Sequence, residues 1–205
     1  MLISFEGIDG AGKTTLIRQI IDAWDQDDGY MTDMNWEDTG TYDHPFWGRL
    51  VEFLKDMSEE PMGWNGYSKI TKAFLFLALH APVGNFLGNE RCTLVDRYTD
   101  SVMAYQGYGD GVDLELLSQM CSAVTEGRPP ELTILLDIDP KIALKRKPLN
   151  DTEEYLDEHL EFLTRVRNGY LQIAKDNPHR FFVVDATQPD VFTQVYQRIA
   201  AKLSN

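Results

Sequence analysis

The stretch that decides the fold is FEGIDGAGKTT, residues 5–15. It continues the short, mostly apolar run LISF (Leu2–Phe5), whose last residue is its first. Gly7-Ile8-Asp9-Gly10-Ala11-Gly12-Lys13-Thr14 fits the pattern G-x4-G-K-[ST] without a gap. Glycines let the backbone turn tightly and aim successive N–H groups inward, and the start of the following helix adds partial positive charge. Residues Gly7, Ile8, Asp9, Gly10, Ala11, Gly12, Lys13, Thr14 and Thr15 therefore read as a cradle for the phosphates of ATP. Lys13 can reach the β- and γ-phosphates. The Thr14 hydroxyl suits Mg²⁺, which keeps most of its waters and takes few protein ligands. Asp9 is the odd member, because an anion in a phosphate loop would repel ATP.

Working outward, short apolar strands alternate with helices along the whole chain. LISFE reads as a buried strand and Lys13 to Trp24 as a helix. YMTDMNWE is a weaker strand. HPFWGRLVEFLKDM has helical spacing, with Phe46, Leu50, Phe53 and Leu54 on one face. YSKITKAFLFLALHAPVGNFL is a mostly apolar helix that Pro82 should kink. CTLVD, ELTILLDID and RFFVVDA are further strands. LELLSQMCSAV, DPKIALKRK, DTEEYLDEHLEFLTRVRNGYLQIAKDN and DVFTQVYQRIAAKL are helices. On the long helix Leu156, Leu160, Leu163, Tyr170 and Ala174 form one stripe. Such alternation predicts a three-layer α/β/α domain around a five-stranded parallel sheet, in one domain spanning 1–205.

The 205 residues carry a net charge of −14, with pI near 4.6. That field repels nucleic acid, so any polyanionic ligand must be held by a local site. No run is long enough for a transmembrane helix, so no membrane partner is expected. The N-terminal MLISFEG has no basic region and no signal-length apolar stretch, which makes the cytoplasm the expected location. Cys92 and Cys121 stand outside any CxxC or Cys/His cluster and read as reduced core thiols.

Residues 93–111, TLVDRYTDSVMAYQGYGDG, hold the second informative run. The strand ends at Asp96, so Arg97 and Tyr98 emerge at the carboxyl edge of the sheet, where open α/β folds bind ligands. Arg97 can grip a phosphate with two nitrogens, and Asp96 can hold Mg²⁺ through water. Taken alone, Arg97 reads equally well as a surface arginine in a structural salt bridge, and Phe74 and Phe76 as core residues.

Together with the phosphate loop, DRYTDSVMAYQG, GRPPELTILLDIDPKIALKR, RVRNGYLQIA and DATQP make the chain resemble the thymidylate kinases, nucleoside monophosphate kinases of the P-loop fold. The resemblance runs through nearly the whole chain in the family's order. It implies transfer of the γ-phosphoryl group of ATP to deoxythymidine monophosphate, with Mg²⁺, in a cytoplasmic homodimer that acts on small nucleotides. It implies that Asp9 reads the acceptor's sugar 3′-hydroxyl and organises the metal with Thr14 and Asp96. Arg97 would bind the acceptor phosphate, Phe76 would stack on the thymine, and Ser101, Tyr105 and Gln106 would line the nucleoside pocket. Members with G-A-G in the loop usually carry a catalytic arginine in a mobile lid. Here the lid falls around 145–154, with Arg146, then Lys147, as its cation; in the alternative, these are solvated charges at a helix end.

The chain departs from the family pattern in three places. Trp36-Glu37-Asp38-Thr39-Gly40-Thr41 replaces Arg-Glu-Pro-Gly-Gly-Thr. The lid is short and lacks Asp-Arg-x-Glu, although Glu153 and Glu154 fall near it. His80 replaces the arginine that hydrogen-bonds the base, and Asp110 the arginine of Q-G-x-x-R-G. These changes leave room for a broader choice of deoxynucleoside monophosphate, and His80 itself reads either as base-facing or as a core residue near Pro82. Two other functions fit the chain: a deoxynucleoside kinase, with Glu6 or Glu37 as general base, and a nucleotide-binding regulator with weakened catalysis.

Overall fold

The computed structural model of the chain describes residues 1–24, 31–34, 45–59, 66–80, 92–146 and 153–204. Strands β1 (Leu2–Glu6), β2 (Met31–Met34), β3 (Cys92–Asp96), β4 (Leu132–Asp137) and β5 (Phe181–Asp185) form one sheet in the order β2-β3-β1-β4-β5. Every pairing is parallel. All of β1 and β3 is buried, and β4 is buried from Leu132 to Leu136. That explains why their runs are mostly apolar and show no alternation, since both faces of these parallel strands are covered.

The helices are α1 (Lys13–Trp24), α2 (Pro45–Glu59), α3 (Lys69–Ala78), α4 (Thr99–Val102), α5 (Leu114–Val124), α6 (Pro140–Arg146), α7 (Glu153–Asp176) and α8 (Val191–Leu203). Helix α1 packs on α8, while α7 packs on β4 and β5. The stripe expected on α7 is its inward face, with Leu163, Tyr170 and Ala174 buried in the main core beside Phe5, Leu94, Ile134 and Val195. A second core joins Ala73 and Leu77 of α3 to Leu117, Met120 and Cys121 of α5. Burial pushes both thiols up to about 12, so Cys92 and Cys121 stay protonated, as their isolation suggests. Helix α6 starts as Asp139-Pro140 implies, with the Asp139 carboxylate accepting from Lys141 N–H at 2.8 Å. No helix among the described residues is long and apolar enough to cross a membrane. Pro82 and the expected kink lie outside the described residues.

One element is unsignalled by pattern. Between Arg97 and Gly111 the backbone forms α4 and then a π-helical segment, Met103–Gly109. Glycines 107 and 109 argue against a helix by propensity, yet close packing needs them: a Cβ at Gly109 would lie 2.7 Å from Phe162 and 2.8 Å from Val166. Wide π turns are frequent at functional sites.

The topology sets the site. From the central β1 the chain goes to β2 and β3 on one side, then to β4 and β5 on the other. The loops leaving β1 and β3 therefore emerge side by side at the carboxyl edge, with Phe5 paired to Asp96.

Candidate active site

The loop after β1 has the backbone its glycines foretell. Gly7, Gly10 and Gly12 have φ of 137°, 81° and 96°. At Gly10 a Cβ would meet the Ala143 carbonyl oxygen of α6 at 2.5 Å, so no side chain fits there. Lys13 is only 6% exposed. Its ammonium donates to the carbonyls of Gly7 at 3.1 Å and Ile8 at 3.2 Å. Burial, then the Arg97 charge, lowers it to about 8. The Thr14 hydroxyl donates to Asp96 Oδ2 at 2.6 Å, so two of the residues expected at the metal already meet.

Arg97 anchors the other half. Its φ of 74° is left-handed, which is rare and strained for a residue with a Cβ, and such strain collects at functional sites. Its Nη1 donates to Gly7 O at 3.1 Å, Ser101 Oγ at 3.2 Å and Tyr170 Oη at 3.2 Å. Its Nη2 donates to Asp9 Oδ1 at 2.8 Å and Tyr105 Oη at 3.2 Å. Tyr105 in turn donates to Asp9 Oδ2 at 3.2 Å. Arg97 is thus no outlying surface arginine: it is tied to the phosphate loop at Gly7 and Asp9.

Beneath Arg97 lies Glu6, fully buried. It accepts from Tyr98 N–H at 2.8 Å, Ser101 Oγ at 2.5 Å and Tyr170 Oη at 3.1 Å. Burial, and then the neighbouring Asp100, pushes its carboxyl up to about 8. Asp100 is itself clamped by Arg180, with Nη1 to Oδ2 at 2.6 Å and Nη2 to Oδ1 at 2.8 Å. The pattern gives no role to Tyr170 or Arg180. Glu6 does leave a signal: an acid inside a strand otherwise nearly all apolar needs a buried partner.

The remaining expected pocket residues divide. Ser101 lies buried under Arg97, accepting from its Nη1 and bonded to Glu6 and Tyr170. Tyr105 bridges Asp9 and Arg97. Gln106 is buried on the π-helical segment, and Phe76 is half-buried between the α3–α5 core and the small core of Val51, Leu54 and Leu79. His80 is 6% exposed, with its ring edge-on to Tyr98 at 5.4 Å. Burial, then Arg97, lowers it to about 4, so it is neutral. This is a packed core position. His80→Arg is therefore expected to cost about 2–4 kcal/mol of stability by burying a charge without a partner. Denaturant unfolding checks it; a fully stable variant with sharpened preference for thymidylate would restore the base-facing reading.

Comparison with known proteins agrees with this geometry. The family model described as thymidylate kinase matches residues 5–199. The chain belongs to the thymidylate kinase family. It is 35% identical to a thymidylate kinase of Oleidesulfovibrio alaskensis, over 98% of this chain and 97% of that one. It is 37% identical to a thymidylate kinase of Deinococcus radiodurans, over 93% and 90% of the two chains. Among solved structures, a thymidylate kinase of Ehrlichia chaffeensis superposes with a TM-score of 0.72 at 27% identity, covering 97% of this chain and 98% of that one.

Within the thymidylate kinase frame, the arginines nearest the donor side each have a protein partner. Arg146, the expected lid cation, donates to the Ala186 carbonyl at 3.2 Å, so it is engaged with the loop after β5 and not with the phosphate loop. Arg167 of α7 makes a two-point pair with Asp137, at 2.6 and 2.8 Å. With Asp137 it borders the small space behind Gly7 and Ile8. Arg165 donates to Gly109 O at 3.2 Å and lies over the Phe162 ring. Lys147, Glu37, the Trp36–Thr41 run and the side chains of Glu153 and Glu154 lie outside the described residues.

Proposed function

We propose that this chain transfers the γ-phosphoryl group of ATP to deoxythymidine monophosphate, giving the diphosphate and ADP. One observation carries the reading: the arginine fitted to an acceptor phosphate is hydrogen-bonded to the ATP-phosphate loop itself, at Gly7 and Asp9. Donor and acceptor readers share one crevice at the edge of β1 and β3. An oxygen of the acceptor phosphate attacks the γ-phosphorus in line, and the bond to the β-bridging oxygen breaks. The protein's work is alignment and positive charge.

The residues divide that work as follows. Nη1 of Arg97 stays tethered to Gly7, Ser101 and Tyr170, which fixes the plane of the guanidinium. Nη2 faces Asp9, whose side chain is 48% exposed. An acceptor phosphate takes over Nη2, and the released Asp9 turns to the sugar 3′-hydroxyl. Lys13 leaves its two carbonyls for the β- and γ-phosphates. To serve the donor side from the lid, Arg146 would first leave the Ala186 carbonyl. Thr14 and Asp96 present converging oxygens, a donor set that suits Mg²⁺, and Asp9 lies on the same side. When bound, Mg²⁺ neutralises charge on the phosphate oxygens. Phe76, Tyr105 and Gln106 border the nucleoside.

Exposed Ile70 and Phe74, four residues apart on α3, with Tyr67 beside them, support a homodimer through this face. A cytoplasmic site of action fits the buried, protonated thiols. Neither a deoxynucleoside kinase nor a weakened regulator is favoured. Glu6, the described candidate for a nucleoside-kinase base, is buried beneath Arg97 and closed off by three donors.

The test is an ATP-coupled assay with the four deoxynucleoside monophosphates and the matching nucleosides. Turnover with thymidylate and none with thymidine is expected. Turnover with nucleosides alone, or ATP binding without ADP release for any acceptor, would overturn the reading.

A further inference from the structure

Asp110 stands where the family resemblance puts an arginine, and the structure shows what balances the change of sign. Its carboxylate pairs with Lys72 Nζ at 3.1 Å, and its carbonyl accepts from Lys69 Nζ. The side chains of Lys72 and Asp110 are 22% and 16% exposed, so the pair is more shielded than an open surface bridge. Asp110 also ends the π-helical segment, its N–H donating to Tyr105 O at 2.8 Å. The same ammonium of Lys72 lies 5.9 Å from the Phe162 ring centre on α7. That ring lies 6.0 Å from Tyr105, whose hydroxyl meets Asp9 and Arg97. Gly109 lets α7 approach, and Arg165 closes the junction at the Gly109 carbonyl. Three elements meet at one inverted charge.

We infer that Lys69, Lys72 and Asp110 form a clamp that positions the acceptor pocket by fastening the first turn of α3 to the end of the π-helical segment. The geometry gives the clamp its consequence. Phe76 follows Lys72 by four residues, one helical turn further along the same face. Tyr105 and Gln106 precede Asp110 by less than two turns of the π segment. The clamp therefore sets the gap between the aromatic of α3 and the polar wall opposite it, touching neither ATP nor the phosphate loop. Lys72 and Asp110 are positioning residues. Their replacement shifts acceptor binding and leaves donor binding alone, a division that a merely structural pair would not produce.

The inference rests on the acceptor reading above, and its test separates the two. The variants are Asp110→Lys, Lys72→Asp, the double exchange, and the milder Asp110→Asn in case a like-charge pair unfolds the protein. For each, calorimetry gives the Kd for deoxythymidine monophosphate and for ATP, and unfolding gives stability without nucleotide. Each single reversal is expected to weaken the monophosphate about tenfold and ATP less than about twofold, with the double exchange recovering most of the loss, as coupled charges do. Equal weakening of both ligands, unchanged monophosphate affinity in the singles, or no recovery in the exchange would each overturn the clamp. Wild-type protein that fails to bind the monophosphate sinks the acceptor reading instead. The stability cycle then still reads the clamp: no coupling between positions 72 and 110 would dispose of it.

Discussion

Lys13→Ala is expected to lose about a hundredfold to a thousandfold in turnover, as removal of one preorganised electrostatic contact does, while the protein stays folded. The buried environment of Lys13 makes the two effects separable. The residue is 6% exposed, and its ammonium is bonded only to loop carbonyls of Gly7 and Ile8 in the described contacts. Its depressed protonation, to about 8, says that the fold disfavours this charge. A charge that folding disfavours is kept for something other than stability. Removing it should leave thermal stability unchanged or slightly raised, since a desolvation cost vanishes. Steady-state kinetics and a melting curve on the same sample check this. A folded variant with wild-type turnover would refute the phosphate-loop assignment. A variant that loses turnover only because it unfolds would make Lys13 structural.

The fold was legible because its strongest signals are local. G-x4-G-K-T between an apolar strand and a helix fixes strand, turn and helix within fourteen residues, and mostly apolar runs such as LTILL do not show the alternation of half-exposed strands. The π-helical segment was not legible. Its glycines speak against a helix, and what overrules them at Gly109 is contact with Phe162 and Val166, more than fifty residues away in the chain. The site shows the same division. Lys13, Thr14, Asp96 and Arg97 could be named from motif and strand end, because topology brings strand ends together whatever the side chains are. Ser101 and Tyr170 could not be placed. Whether a hydroxyl on a helix lines a pocket or holds an arginine from below depends on a carboxylate in another strand. Glu6 is that carboxylate, and its place inside a buried strand was the one hint available. Asp110 is a third case: the sequence shows a lost arginine, and only the structure shows the lysines of α3 that answer it.

Asp9 draws the two halves of the site together. An acid in a phosphate loop is unfavourable beside ATP alone, but here it faces Arg97 at 2.8 Å. The pair neutralises an arginine that would otherwise be buried with a bare charge. An incoming phosphate can replace the carboxylate and leave the arginine with an anionic partner throughout. On the proposed function, the anion that looked out of place in the sequence would keep Arg97 satisfied until the acceptor arrives.

That exchange makes Arg97→Lys the second large effect: acceptor affinity is expected to fall by about two orders of magnitude, and ATP affinity by no more than a few-fold, because lysine cannot reproduce a planar two-nitrogen grip. The structure says why the shorter list of donors fails. Nη1 is committed to three oxygens behind the site, and Nη2 faces forward to Asp9 and Tyr105. One ammonium cannot both stay anchored and reach forward. Either it turns back to Ser101 and Tyr170 and abandons the phosphate, or it reaches out and leaves the hydroxyls of Ser101 and Tyr170 without the donor behind the site. The second course costs about 1–3 kcal/mol of stability for each buried group left unsatisfied. The first course leaves the buried hydroxyls of Ser101 and Tyr170 satisfied, so weak acceptor binding with a nearly unchanged unfolding curve is the expected pair of results, read by calorimetry and by unfolding. Equal weakening of both nucleotides would mean that Arg97 supports the loop as a whole and does not read the acceptor phosphate. Unchanged acceptor affinity would mean that the backbone strain at φ 74° serves the fold and not the ligand.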